Sequence, residues 1–353
     1  MKTRYITIAV TILSLVSLFP GEPLVAAETA SGTADAELDE IHALFRPGRS
    51  EVAGTAPVAL TRQEMVARLK HAAEKARTFR QKHTRNPKAL AAKQLEARAL
   101  LNAALIGEES LEEEAIAAAE EVGRDSRVPI AERFQLATLR ELVRTQKWKS
   151  DQGKLRLERE RSAKRLIEDF PEASGGYEAL LREAENHPDA TKALALAREV
   201  LLSRAPPTVK VAAQVLVERH ALIGQKLHKI AAEALGVDNP FVNASGRVTI
   251  VYTWATWSPG AVALAKRLPE LAPSAVLVGV CLDSDLSAAR ALASSEALPG
   301  ELIFDERGIH SPLVEALKLS STMPIYVADR NGEIRDVAAE RGDMALKQIS
   351  DVR

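Results

Sequence analysis

The run RVTIVYTWATWSPGAVALAKRLPEL, residues 247–271, constrains the fold more than any other part of this chain. Its opening, "RVTIVYTW" (247–254), is β-branched and aromatic, as a buried strand requires. Ser258 and Pro259 then offer an N-cap and a proline at the first helical position, where its missing N–H costs nothing. An apolar helix fits 259–271, interrupted by Pro269. A strand that passes through so short a turn into an apolar helix needs a sheet with helices packed on it. The following text repeats the alternation. "AVLVGVCLD" (275–283) predicts a buried strand, 286–296 a helix, "ELIFDERG" (301–308) a short strand and turn, and 311–318 a helix. "MPIYVADRNGEIRDV" (323–337) predicts a hairpin turning at Asn331-Gly332, and a last helix fits 343–350. Together these predict an α/β sandwich around a mixed sheet.

The preceding 160 or so residues read differently. Aromatics are only 4% of the chain while Ala and Leu are abundant, which favours packed helices over an all-β architecture. Thr61-x-x-Glu64 forms a capping box, and Met65, Val66, Leu69, Ala72, Ala73, Ala76 and Phe79 follow at helical spacing. Asn86-Pro87 opens a second helix that Gly107 can close, and Ser110-x-x-Glu113 suggests another capping box, with Gly123 closing that segment. Further helices fit 130–146, 153–169, 175–186, 189–204 and 207–221. The expected chain is therefore α+β with two domains: an all-α helical-hairpin domain at 60–223, then the α/β sandwich at 224–353. Residues 28–59, rich in Ala, Gly, Thr and Pro, read as a flexible leader. No catalytic cluster or metal-ligand spacing stands out in the helical region, whose interleaved charges, as in "KLRLERERSAKR" (154–165), suit a solvated scaffold.

Three segments carry a resemblance in the same order. "GRVTIVYTWATWSPGAVALAKRLPEL" resembles the first strand, active-site turn and kinked helix of the TlpA-like thioredoxin family, in which a W-A-T-W-C-P-P-C type motif is usual. "VLVGVCLDSD" resembles the next strand, and "STMPIYVADRNGEI" the cis-proline loop and hairpin, which puts the cis-proline at Pro324. "IGQKLHKIAAEALGVDNPFV" (223–242) resembles the extra N-terminal strand pair of these proteins, so the resemblance implies strands there in place of the helix that "HKIAAEAL" suggests. It covers residues 224–353 and implies a thioredoxin-like domain. The helical region is only loosely tetratricopeptide-like: "RLIEDFPEA" (165–173) has the look of a helix-end proline, without a 34-residue period.

The departures from the family set the expected chemistry. Ser258 stands at the nucleophilic thiol position and Ala261 at the resolving one. A hydroxyl cannot attack a disulfide at neutral pH, and an alanine cannot resolve one. Tyr252 stands where ordinary thioredoxins keep a buried acid. What the resemblance leaves is a peptide groove formed by Trp257, Ser258, Pro259, Met323 and Pro324, in which an extended polypeptide pairs by strand addition without any thiol. Cys281 is the single cysteine; on a central strand it reads as an inert core residue, facing away from the 258–261 turn. The favoured function is therefore a redox-inactive, non-enzymatic polypeptide-binding or scaffold protein with no cofactor and no catalytic or metal-ligating residue. The alternative is a thiol-disulfide oxidoreductase or peroxidase-type enzyme working through Cys281 as a lone redox thiol.

The N-terminus and the charge bound the location and the partners. Lys2 and Arg4 precede an uncharged apolar run at 5–19, Pro20-Gly21 breaks it, and "LVAA" (24–27) offers a cleavage site ahead of Glu28. This is the layout of a signal peptide at 1–27 and predicts an exported protein, periplasmic in a bacterium, with no membrane anchor after cleavage. A net charge of −1 gives no reason to invoke nucleic acid as a partner. With one cysteine, no intrachain disulfide can form in an oxidising compartment. Sequencing the N-terminus of the exported form should start at or near Glu28; a membrane-bound product that retains Met1 would overturn the localisation.

Overall fold

The computed structural model describes residues 31–45, 60–235, 241, 246–319 and 325–337. Contacts group the chain into two compact units, Met1–Ser162 and Ala163–Arg353.

The first unit holds α1 (Ser31–Ala43), α2 (Arg62–Lys82), α3 (Ala89–Ile106), α4 (Glu112–Gly123), α5 (Ile130–Gln146) and the start of α6 (Gln152–Asp169). The Thr61 capping box forms as the sequence predicts: the Glu64 N–H donates to Thr61 Oγ1 at 3.2 Å and the Thr61 N–H to Glu64 Oε2 at 2.7 Å. The second box does not. Ser110 lies inside a 3-10 turn, Glu109–Leu111, and its hydroxyl donates to Glu108 at 2.6 Å, leaving α4 to begin at Glu112 without a side-chain cap. Ala-rich faces of α2, α3 and α4 meet in a core of Ala72, Ala73, Ala97, Leu100, Leu101, Ala115 and Val122, where small side chains let helix backbones approach closely. The stretch read as a flexible leader contains α1. Ala34 and Ile41 are buried against Ala76, Phe79, Ala92 and Leu95, and this apolar stripe is what orders the segment.

The second unit continues with the rest of α6, then α7 (Ser174–Glu185), α8 (Ala190–Leu202), α9 (Pro207–His220) and α10 (Leu227–Leu235). Next come β1 (Thr249–Trp254), α11 (Pro259–Leu271), β2 (Val276–Cys281), α12 (Leu286–Ser295), β3 (Glu301–Ile303), α13 (Pro312–Ala316), β4 (Ile325–Ala328) and β5 (Ile334–Asp336). The strands form one mixed sheet in the order β3-β2-β1-β4-β5. β1, β2 and β3 run parallel, whereas β4 pairs antiparallel with β1, and β5 antiparallel with β4. Strand alternation divides the core in two. Ile250, Tyr252, Trp254, Leu277 and Cys281 pack under α11 and α12, while Val251, Val278, Val280 and Tyr326 pack under α10 and α13. The expected helix at 343–350 lies outside the described residues.

Over 223–235, the continuously described part of the 223–242 segment, a helix follows a single bridge in place of the strand pair the resemblance implies. One antiparallel bridge joins Lys226 to Glu333, and the chain then turns into α10. Leu227, Ile230, Ala231, Ala234 and Leu235 recur at 3.6-residue spacing, and the stripe they make buries Leu227 and Ala231 against Leu313 and Val314 of α13. Local periodicity outweighs the resemblance at this segment.

Gly279 in β2 marks a close approach. A Cβ there would lie 2.6 Å from the Tyr252 ring and 2.7 Å from Leu302. The bulk of Tyr252 on β1 and the bareness of Gly279, its register partner, are therefore one packing solution.

Candidate functional site at the carboxyl ends of the parallel strands

β1 ends at Trp254, and a four-residue turn, Ala255–Ser258, closes with the Ser258 N–H donating to the Ala255 carbonyl at 3.1 Å. α11 starts at Pro259. Ser258 stands at its N-cap as predicted, with the Ala261 and Val262 N–H groups donating to the Ser258 carbonyl at 3.1 and 3.2 Å. Its hydroxyl makes no capping bond, however, because φ −120° and ψ 78° turn the side chain away from the usual cap geometry. Ser258 is half-buried, Pro259 is exposed, and Ala261 is buried in the core beside Trp254 and Val262. Trp257 is 61% exposed, an unusual position for the largest side chain. Met323 and Pro324, the other half of the predicted groove, lie outside the described residues.

The turn is tied down by a residue that the sequence reading passed over. Asp283, two residues beyond β2, is buried at 6% exposure. Its Oδ2 accepts the Thr256 N–H at 2.7 Å and its Oδ1 accepts the Thr256 hydroxyl at 2.8 Å. The Cys281 thiol points to the same Oδ2 at 3.8 Å. The neighbouring backbone is equally fixed. The Leu282 N–H donates to the Trp254 carbonyl at 3.0 Å, prolonging the β1–β2 ladder, and Asp285 caps α12 by accepting from Ser287 and Ala288. From below, Gly308 presses on this loop so closely that a Cβ would sit 2.8 Å from the Leu282 carbonyl oxygen. The signal available in sequence was an acid just past a buried strand, at the sheet edge where parallel strands of α/β folds present their loops.

Cys281 is therefore not remote from the turn, as the sequence suggested. Its register partner is Trp254, it shares one core cluster with Ala261, and Asp283 links it to Thr256. Period-2 alternation puts Cys281 on the same sheet face as Trp254 and α11. It is nonetheless closed off, at 1% exposure, and burial with the adjacent Asp283 carboxyl pushes the thiol up to about 11. Tyr252 donates its hydroxyl to the Pro299 carbonyl, and burial raises its pKa as well, so it offers no acid near neutrality. Trp254 is fully buried and meets Phe304 edge-on at 5.7 Å and 89°. Arg290 covers the Phe304 ring at 4.6 Å.

Beside the turn, α11 and α12 enclose a shallow groove of about 510 Å³, lined by Thr256, Pro259, Val262, Ala263 and Leu292. The Lys266–Glu296 ion pair, 2.9 Å long, stands at its rim. Among the described residues no three His, Cys, Asp or Glu side chains come together as metal ligands would, and no helix is long and apolar enough to cross a membrane. Among the described residues the arrangement supplies an exposed indole and a turn held by hydrogen bonds to Asp283.

No protein-family model matches the chain, and no curated protein matches it. Among solved structures, the C-terminal domain of a candidate thiol-disulfide oxidoreductase from Bacteroides thetaiotaomicron is 16% identical, over 31% of this chain and 78% of that one, with a TM-score of 0.28. A candidate thiol-disulfide oxidoreductase from Bacteroides vulgatus is 18% identical over 31% and 74%, with a TM-score of 0.27. A secreted Mycobacterium tuberculosis disulfide oxidoreductase homologous to E. coli DsbE is 18% identical over 31% and 85%, with a TM-score of 0.26. At these scores the likenesses add nothing to what strand order and register establish.

The raised thiol gives a pH-dependent prediction. Only the thiolate reacts with alkylating reagents, so native Cys281, whose pKa stands at about 11, should label very slowly at pH 8. Denaturation should restore the rate of an ordinary cysteine. Rapid labelling of the native protein at pH 7 would show a reactive thiol and return the oxidoreductase alternative to first place.

Proposed function

We propose that this chain is an exported thioredoxin-like protein of TlpA-like type that has lost its redox cysteines and binds polypeptides without catalysis. In this reading the signal peptide is residues 1–27, the helical-hairpin domain 60–223 and the thioredoxin-like domain 224–353. The observation that carries the reading is Trp257, 61% exposed on a turn that Asp283 pins from behind. A large apolar side chain held out rigidly loses little entropy when a partner covers it, and tryptophan is the residue most enriched at binding hot spots. Ser258 and Ala261, at what would be the thiol positions, give a bound peptide no sulfur to react with. The buried Cys281, with its thiolate disfavoured, supports binding over thiol exchange. The partner is an extended polypeptide, lying across the turn and pairing its backbone by strand addition.

A permanently unfolded chain, reduced and carboxymethylated α-lactalbumin labelled with a fluorophore, serves as the probe. Fluorescence anisotropy should show binding to the wild-type protein. Trp257→Ala should weaken it about ten-fold or more, the range of a hot-spot truncation, without changing the melting curve. Leu202→Ala, at an apolar residue 86% exposed on α8, is the control and should leave binding intact. Equal binding by Trp257→Ala and wild type would remove this turn as the site.

A further inference from the structure

In the first unit, α1 lies on a face made by α2 and α3, and ion pairs frame the contact. The apolar stripe of α1 is Ala34, Leu38 and Ile41, continued by Phe45 just past its end, spaced i, i+4, i+7 and i+11. It rests on Ala76, Phe79, Ala92 and Leu95. Around this seam α1 contributes carboxylates and the receiving face contributes bases. Asp35 pairs with Lys88; Glu37 pairs with Lys82 and, at 3.1 Å, with His83; Glu40 pairs with Lys75 at 2.7 Å. Arg68 donates to the Ala43 carbonyl at 2.7 Å, neutralising the last turn of the helix. The bases Lys82 and His83 hold the Glu37 carboxyl below the usual carboxylate range.

Three features make this contact separable from the rest of the unit. At 13 residues, α1 is near the length below which an isolated helix does not persist in water, so docking is what holds it helical. Only Ala34 and Ile41 of its stripe are fully buried. The ion pairs that frame it are solvent-accessible, which makes them weak one at a time and sensitive to salt.

We propose that the α2–α3 face is a recognition groove for an acidic amphipathic helix, which α1 occupies in cis. The partner it fits carries small and aliphatic anchors at i, i+4 and i+7, flanked by carboxylates that meet Lys75, Lys82 and Lys88. This is helix-in-groove recognition, with α1 as the built-in competitor. The chain between Ala43 and Arg62 joins α1 to α2, so α1 competes from within the same molecule. A partner helix enters only by outcompeting it.

The test uses the full chain and a fluorescein-labelled peptide copying residues 31–45, followed by anisotropy. Ile41→Asp places a charge in the seam and should release α1. The peptide should then bind the variant about ten-fold or more tightly than it binds wild type, because the cis competitor is gone. Raising the salt from about 0.05 M to about 0.5 M should weaken that binding, as screening of the ion pairs demands. Adding Lys75→Glu and Lys88→Glu should abolish it. Hydrogen exchange on the wild-type protein keeps the proposal open to refutation if Ile41→Asp fails to fold: α1 amides should exchange faster than those of α2 and α3. A folded Ile41→Asp protein that ignores the peptide would overturn the proposal. So would binding indifferent to the charge reversals, α1 exchange that occurs only with global unfolding, or a wild-type dimer that exchanges α1 between two copies.

Discussion

The hydrogen bonds that Thr256 gives to Asp283 hold the rim of this sheet in place. A carboxyl group at 6% exposure is costly unless its oxygens are satisfied. Here both oxygens accept from one residue of the opposite turn, and the Cys281 thiol adds a third, weaker donor. Bonds to such a group contribute about 1.5–3 kcal/mol each, and stranding the buried partner costs at least as much. The carboxyl ends of two parallel strands, β1 and β2, are joined through that side chain and through the Leu282 N–H bonded to the Trp254 carbonyl. The direction in which the next residue, Trp257, leaves the turn follows from these bonds.

Beneath the rim the packing is closed. Trp254, Ala261 and Cys281 share one buried cluster, while Trp257 and Pro259 are exposed. Residue 258 is half-buried and residue 261 buried. The side chains there are a hydroxyl and a methyl group. The one thiol, Cys281, lies deeper, where burial disfavours the thiolate, which supports the proposal of binding over thiol exchange.

Much of the fold was legible because its signals are local. β-Branched runs alternating with proline-opened helices predicted β1, α11, β2 and the hairpin of β4 and β5 to within a few residues, and Thr61-x-x-Glu64 predicted the start of α2. The misreadings have physical causes. α10 was overruled by a resemblance although its own periodicity was correct. α1 was hidden because its stripe is short and flanked by turn-forming residues, so that tertiary burial of Ala34 and Ile41 orders it. Ser110 fits a capping box by spacing, but the chain enters α4 through a 3-10 turn and the hydroxyl finds Glu108 first. Of the site, Ser258, Pro259 and Trp257 could be placed from sequence. Asp283 carries only the general signal of an acid just past a buried strand, because its bonds to Thr256 appear only when β2 lies in register beside β1.

Amide hydrogen exchange at Thr256, read by NMR in the wild-type protein and in Asp283→Ala, tests most directly that the turn is a fixed platform. Thr256 is exposed, so nothing but its bond to Asp283 should slow its N–H. The wild type should show that amide protected. Asp283→Ala should bring it close to the free-peptide rate while the β1 and β2 amides stay protected. A Thr256 amide that already exchanges freely in the wild type, or one indifferent to Asp283→Ala, would contradict the account.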